Sequence, residues 1–271
     1  GVVISSFFFV RTPDPTPDAA VGKAVISVSR LGKRIVIGFE SDLFFVIHLM
    51  ITGRFRWRKR GTKPPGKRGL AAFTFPTGTL LVTEEGTKKR ASLHVVRGKD
   101  ALAAFDRGGL EPLDADLAAF RTALTRENHT LKRSLTDPRI FSGIGNAFSD
   151  EILHAARLSP FKHTAKLDDD ETARLFSAVR EVLTDWTERL REETGDAFPE
   201  KVTAFREGFA VHGRYREPCP VCDAPVQRVV YAENEMNYCA RCQTGGKVLA
   251  DRSLSRLLKD DWPKTIDELE G

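Results

Sequence analysis

Cys219-Pro220-Val221-Cys222, then sixteen residues, then Cys239-Ala240-Arg241-Cys242: this stretch holds all four cysteines of the chain. Paired Cys-x-x-Cys knuckles at that separation form a zinc-ribbon pattern. A two-residue gap lets both sulfurs of a knuckle reach one ion, and zinc in a structural role takes a closed tetrahedron of thiolates. Between the knuckles lie Val226-Gln227-Arg228-Val229-Val230-Tyr231 and a polar turn at Glu233-Asn234-Glu235. The segment reads as a β-hairpin clamped at its base by one structural Zn2+ on Cys219, Cys222, Cys239 and Cys242. Two disulfides or four free thiols are the competing readings; no cysteine lies elsewhere and nothing signals secretion, which weighs against both. Most ribbons of this kind are scaffolds, so the metal is not expected to be catalytic.

Outward from the ribbon, the 271 residues can hold two modest domains more. Eighteen Phe against three Tyr and three Trp supply the bulk for hydrophobic cores. Lys+Arg 42 minus Asp+Glu 37 leaves +5, a mildly basic balance compatible with a nucleic-acid partner. The charge is uneven. Arg54-Phe55-Arg56-Trp57-Arg58-Lys59-Arg60 continues through Lys63, Lys67 and Arg68, and Lys88-Lys89-Arg90 follows, whereas the acidic run Asp168-Asp169-Asp170-Glu171 comes later. No segment approaches the roughly 20 apolar residues of a membrane span. The opening run, residues 2–10, is too short for one, lacks the flanks of a signal peptide and reads as a strand. Because the chain begins with Gly1 directly inside that strand, further sequence is expected to precede it.

Residues 1–98 carry β-branched and aromatic runs of strand length at 22–30, 34–40, 43–50, 71–75 and 79–83, with a hairpin turn at Pro76-Thr77-Gly78 and a mobile loop at Pro64-Pro65-Gly66-Lys67. Strands without intervening helices imply an antiparallel sandwich or barrel. From about Asp100 the period becomes helical. Residues 114–124 open with a capping aspartate, 146–157 form a second helix, and 168–193 form a long amphipathic one with a stripe of Leu175, Val179, Val182, Leu183 and Trp186. A tail helix at 253–259 and a turn started by Pro263 complete the chain. The fold class is therefore α+β: a β-sandwich over 1–98, a helical domain over 99–210, a zinc ribbon over 211–243 and a helical tail over 244–271.

After the ribbon, the most informative segment runs from Asn128-His129-Thr130-Leu131-Lys132 to Phe141-Ser142-Gly143-Ile144-Gly145-Asn146-Ala147-Phe148-Ser149-Asp150-Glu151-Ile152-Leu153. One helix is expected to end near Phe141, Gly143-Ile144-Gly145 to turn, and Asn146 to cap the next helix. Backbone N–H groups at such a turn can hold a phosphate, with Lys132 adding charge. An ordinary helix–turn–helix joint is the alternative, and spacing alone favours it.

This segment resembles the helix–two-turns–helix element of the formamidopyrimidine-DNA glycosylase / endonuclease VIII family. Gly-Ile-Gly-Asn followed by Ser-Asp-Glu-Ile-Leu and Ala156-Arg157-Leu158-Ser159-Pro160 is close to that family's text, and Val211-His212-Gly213-Arg214 leading into Cys219 resembles the approach to its zinc finger. Arg30-Leu31-Gly32-Lys33-Arg34-Ile35-Val36 and His48-Leu49-Met50-Ile51-Thr52-Gly53 resemble stretches of its β-sandwich. The match runs in order from about residue 1 to 243.

The resemblance implies base-excision repair: a zinc-dependent fold that binds double-stranded DNA at a damaged base or abasic site, flips the base out, and acts as a DNA glycosylase and AP lyase. The protein would be a monomer in the bacterial cytoplasm, associated with the nucleoid. In the family an N-terminal proline amine attacks the sugar and an adjacent glutamate moves protons, the logic of nucleophilic amine catalysis. That Pro-Glu start has no counterpart here, and Glu40, Glu84 and Glu85 do not replace it. Carried over residue by residue, Lys33 matches a hairpin lysine that contacts phosphate and assists elimination. Asn146, beside Gly145, matches a phosphate-binding asparagine, Lys132 a phosphate-binding lysine, and Ile51, next to Met50, an intercalating apolar position. The family's arginine at the zinc-hairpin tip falls near Asn234, and its arginine- and phenylalanine-bearing loop is replaced by Glu85-Gly86-Thr87-Lys88-Lys89-Arg90. A non-catalytic damaged-DNA-binding protein of the same fold, or a zinc-ribbon adaptor for RNA, are the alternatives.

Overall fold

The computed structural model describes residues 1–200, 202–203, 206–231, 234–249 and 264–270. Its contacts separate into two compact bodies: residues 1–107 with 192–203, and residues 108–191 with 204–271.

The first body is a sandwich of two antiparallel four-stranded sheets. One has the order β1 (Val2–Ile4), β6 (Gly69–Thr74), β7 (Thr79–Glu84), β5 (Gly53–Arg58). The other has the order β2 (Val25–Leu31), β3 (Arg34–Phe39), β4 (Leu43–His48), β8 (Ser92–Arg97). Ile37, Phe39, Leu43 and Phe45 from one sheet meet Leu70, Phe73, Leu80 and Val82 from the other in a single core. Phe45 is its centre: its ring lies 4.7 Å from that of Phe39 and 5.3 Å from that of Phe73. β4 and β7 are buried along their whole length or nearly so, which is why β4 is apolar from Leu43 to Ile47 and the middle of β7 is Leu80-Leu81-Val82, without alternation.

The opening strand is shorter than its apolar run suggests. The Ser5 and Ser6 N–H groups both donate to the Leu70 carbonyl, at 2.9 and 3.2 Å. The ladder with β6 therefore ends at Ile4, and Phe7–Phe9 form a 3-10 turn that buries Phe9. Pro64-Pro65-Gly66-Lys67 leads into another ordered 3-10 turn, Gly66–Arg68. In the first body, too, Phe198 stacks on Trp57 at 6.2 Å, and Glu200 accepts from the Arg58 guanidinium.

The second body is helical, with the ribbon attached. Its helices are α1 (Leu117–Thr125), α2 (Leu131–Thr136), α3 (Asn146–Ala155) and α4 (Asp169–Thr194). Asp116 caps α1, its carboxylate accepting the Ala119 N–H at 2.8 Å. α2 stops at Thr136, short of the expected Phe141, because Asp137 precedes Pro138 and is extended (ψ 115). Gly145, also extended, is the N-cap of α3, so Asn146 is its first helical residue and not the cap. Phe120, Leu131, Phe141, Ile152, Leu175 and Val179 form the core of this helical part.

In the ribbon, β9 (Gln227–Tyr231) and β10 (Asn234–Tyr238) pair antiparallel, followed by α5 (Ala240–Thr244). Of the expected turn at Glu233-Asn234-Glu235, Glu233 lies outside the described residues, and Asn234 and Glu235 belong to β10. The Asn234 side chain and the expected tail helix at 253–259 also lie outside the described residues. The chain returns in α6 (Ile266–Glu270), whose Ile266 packs in the ribbon core.

Phe45→Ala removes the ring shared by both sheets. It is expected to lower unfolding free energy by about 3–5 kcal/mol, read as a lower urea midpoint with an unchanged slope.

Candidate nucleic-acid interface and metal centre

In the first body the two candidate DNA contacts sit on turns. Gly32-Lys33 is the two-residue link between β2 and β3, where Leu31 pairs with Arg34. Gly32 has φ 58, the left-handed first position that a tight hairpin of this length takes from glycine. Lys33 is exposed as a residue, yet desolvation by the protein around its ammonium holds its pKa below the usual lysine value. His48 is close enough to feel both neighbours: burial lowers its pKa first, and the charges of Arg34 and Lys33 lower it further.

Ile51 sits at the tip of the β4–β5 turn, 72% exposed, beside Met50 at 41%. The turn is closed by the Gly53 N–H donating to the Leu49 carbonyl at 2.9 Å. A Cβ on Gly53 would lie 2.2 Å from that oxygen, so only glycine fits. Met50 is held in the left-handed region at φ 54. A non-glycine residue there is strained, and the turn presents two adjacent apolar side chains to solvent.

In the second body, Lys132 does not face solvent as a phosphate-binding lysine would. Its ammonium donates to the Asn146 carbonyl (2.8 Å), to Ser149 Oγ (2.8 Å) and to the Asp150 carboxylate. Burial pushes its pKa down, and Asp150 works in the opposite direction. Asn146 is committed as well: Nδ2 donates to the Glu235 carbonyl of β10 at 2.7 Å. What remains for an anion is the start of α3 itself, where the first N–H groups after Gly145 have no partner within the helix.

Asp150, Glu151, His154 and His212 have no role that the sequence alone assigns, and the fold gives each of them one. Asp150 is fully buried. One oxygen takes Lys132; the other takes His212 Nδ1 at 2.7 Å and the Asn237 N–H at 3.1 Å. Glu151 accepts the N–H groups of Ala210, Val211 and His212 at 2.6, 3.0 and 2.8 Å. Burial raises its pKa, and those three donors oppose the rise. The available signal is a pair of adjacent acids in the middle of a helix, with polar residues four positions to either side of Asp150 at Asn146 and His154.

The four cysteine sulfurs all lie within 4.8 Å of one another, with pairs at 3.4, 3.4 and 3.9 Å. Sulfurs bound at about 2.3 Å to one tetrahedral ion stand about 3.8 Å apart, so the cluster fits zinc. Burial pushes the Cys239 thiol far up and Cys242 to about 11. Cys222 goes down: burial opposes this, but the Ala224 N–H and the neighbouring thiols outweigh it. Thiols that resist ionisation in place need a cation to become a set of thiolates. His154, on α3, brings Nε2 to 3.3 Å from Cys219 Sγ, an outer partner of the kind that orients metal ligands.

Two outcomes follow. Lys132→Ala leaves Asp150 buried without its cation and is expected to cost about 3–5 kcal/mol of stability, measured by denaturant unfolding. Metal analysis is expected to find one Zn2+ per chain, and a chelator to lower the melting temperature. A melting curve unmoved by chelation would exclude a structural ion.

Family models match three segments: the formamidopyrimidine-DNA glycosylase N-terminal domain over residues 3–91, its H2TH domain over 109–195, and the zinc finger found in FPG and IleRS over 216–245. The formamidopyrimidine-DNA glycosylase of Thermus thermophilus is 33% identical over 235 residues, covering 84% of this chain and 85% of the relative. An uncharacterized formamidopyrimidine-DNA glycosylase-like protein of Mycobacterium tuberculosis is 40% identical over 151 residues, which are 56% of this chain and 94% of that protein. Among solved structures, the MutM (Fpg) protein of Thermus thermophilus superposes with a TM-score of 0.74 at 31% identity, covering 89% of this chain and 90% of the other. The Lactococcus lactis Fpg in complex with Fapy-dG-containing DNA, at 22% identity, shares the fold with a TM-score of 0.78 over 90% of this chain and 91% of its own. With three domain models matched in order and a relative covered over most of its length, the chain belongs to the formamidopyrimidine-DNA glycosylase family.

Proposed function

We propose that this protein binds double-stranded DNA at damaged bases and abasic sites, and that it acts there as a base-excision glycosylase with AP lyase activity. The observation that carries the reading is the start of α3. Gly145 leaves the first N–H groups of the helix open, and the Asn146 side chain ties that same turn to β10 of the zinc hairpin. Helix-start amides and hairpin thus offer one rigid seat for a backbone phosphate. Phosphate contacts of this kind fix register without reading sequence.

In the other body, Lys33 is the residue to which we assign a part in the chemistry. Its lowered pKa raises the fraction of neutral amine at a given pH, the form able to take a proton or attack a carbonyl. Met50 and Ile51 would fill the space that a flipped base vacates, as apolar wedges do when they enter a duplex. The setting we infer is a bacterial cytoplasm, on the nucleoid, with the protein acting as a monomer. The four cysteines would hold Zn2+ as a scaffold, with no part in bond breaking.

Affinity for a duplex carrying an abasic site is expected to fall linearly in log–log form with salt, by a slope of about 0.9 per phosphate neutralised. Lys33→Ala is expected to shallow that slope by about 1 and to weaken every sequence alike; a loss confined to particular bases would contradict the phosphate assignment. Borohydride should trap a covalent complex between the protein and abasic-site DNA. Binding without trapping would leave the family fold as a non-catalytic damaged-DNA reader.

A further inference from the structure

Glu84, the last residue of β7, is 1% exposed among loops, and both loops at this end of the sheet are built on it. Its two carboxylate oxygens accept the Arg90 N–H at 2.9 and 3.1 Å and the Ala91 N–H at 3.3 and 3.3 Å. The loop 85–90 is thereby pulled back onto its own starting point. Thr52 Oγ1 approaches the same carboxylate at 3.5 Å, and the Thr52 carbonyl accepts the Glu85 N–H at 3.2 Å. The backbone carbonyl of Glu84 accepts the Lys89 ammonium. Gly86 runs so close to the β4–β5 turn that a Cβ there would lie 2.8 Å from Thr52 Oγ1. The apolar tip Met50–Ile51 and the cationic loop with Lys88, Lys89 and Arg90 are consequently one piece.

We propose that Glu84 is a positioning residue for lesion discrimination. It fixes the apolar tip and the cationic loop at one spacing, so that duplex is held by the loop only where the tip can also enter the stack. This rests on the DNA-binding reading given above. The physical reason is a difference in cost. Inserting an apolar side chain between base pairs requires unstacking, a few kcal/mol in intact duplex and less at a lesion. With the spacing rigid, intact DNA must bear that cost to reach the cations. With the spacing loose, the cations bind any duplex and the tip is left out. Glu84 suits the task because its carboxylate grips the loop by its backbone, through the Arg90 and Ala91 N–H groups.

The test uses the full chain and E84Q. The carboxamide is isosteric but turns an NH2 toward the Arg90 and Ala91 N–H groups, replacing charge-assisted acceptance with a clash of donors. Trypsin cleavage after Lys88, Lys89 and Arg90, followed by mass spectrometry, is expected to accelerate about tenfold or more, with the melting temperature of the rest of the protein little changed. The ratio of affinities for a duplex with a tetrahydrofuran abasic analogue over the intact duplex is expected to fall about tenfold, while the salt slope stays that of wild type. G86A, whose methyl would crowd Thr52 Oγ1 and displace that hydroxyl from the carboxylate, should move both readouts the same way to a smaller extent and serves if E84Q does not fold. A folded E84Q or G86A with the wild-type ratio and wild-type cleavage overturns the proposal, as does loss of ratio and salt slope together. If the wild-type protein itself shows no preference for the lesion, the DNA reading falls and the discrimination role falls with it; the cleavage arm then shows separately whether Glu84 fixes the loop.

Discussion

A carboxylate with no exposed surface, Asp150, sets the terms for the whole second body. A buried charge of this kind is tolerated only when its lone pairs are met by donors held in place. Those donors come from three parts of the chain: Lys132 on α2, His212 on the segment entering the ribbon, and the Asn237 N–H of β10. Each donor is therefore fixed by the need of the acid as much as by its own packing. Glu151 adds three backbone N–H groups from residues 210–212. Losing any one partner exposes a deficit shared by the others, so α2, α3 and the hairpin hold together or fail together.

The residues that make these contacts step along α3 in fours. Asn146 reaches the Glu235 carbonyl, Asp150 reaches His212 and Asn237, and His154 reaches Cys219. Residues four apart share a helix face, so one face of α3 meets β10 of the hairpin at one end and the cysteine cluster at the other. The cysteine cluster thus braces the far end of the same helix face whose near end is tied to the hairpin by Asn146. Gln243 repeats the device from the ribbon side, accepting the Cys239 N–H and donating to the Leu158 carbonyl.

Much of this was legible in the chain, and what was not has a physical cause. The cysteine spacing determines a metal tetrahedron because two-residue gaps leave the sulfurs few other arrangements. The strands were legible as apolar runs because both faces of β4 and β7 are buried. The first strand was overread because consecutive Phe residues look like a strand until Ser5 and Ser6 end the ladder. The expected end near Phe141 overshoots α2 because Pro138 holds Asp137 out of the helical region and ends the helix at Thr136. Lys132 differs: a lysine near a glycine turn reads as an anion ligand, and only the fold reveals that Asp150 lies underneath it. Partners separated by 62 to 87 residues, as His212 and Asn237 are from Asp150, leave no local trace.

Buried acids also change what the formal charge means. Of the acidic residues counted toward +5, Glu84 and Glu151 are met chiefly by backbone N–H groups, so they are solvated by peptide dipoles inside the protein and do not draw down the cations at the surface. Exposed acids behave otherwise: Glu85 pairs with Arg56 and Arg68, and Glu200 with Arg58. An approaching polyanion responds to the summed charge distribution. Glu84 and Glu151 therefore still count in the field that a polyanion meets, but they are held by backbone donors, whereas Glu85 and Glu200 are held by arginines.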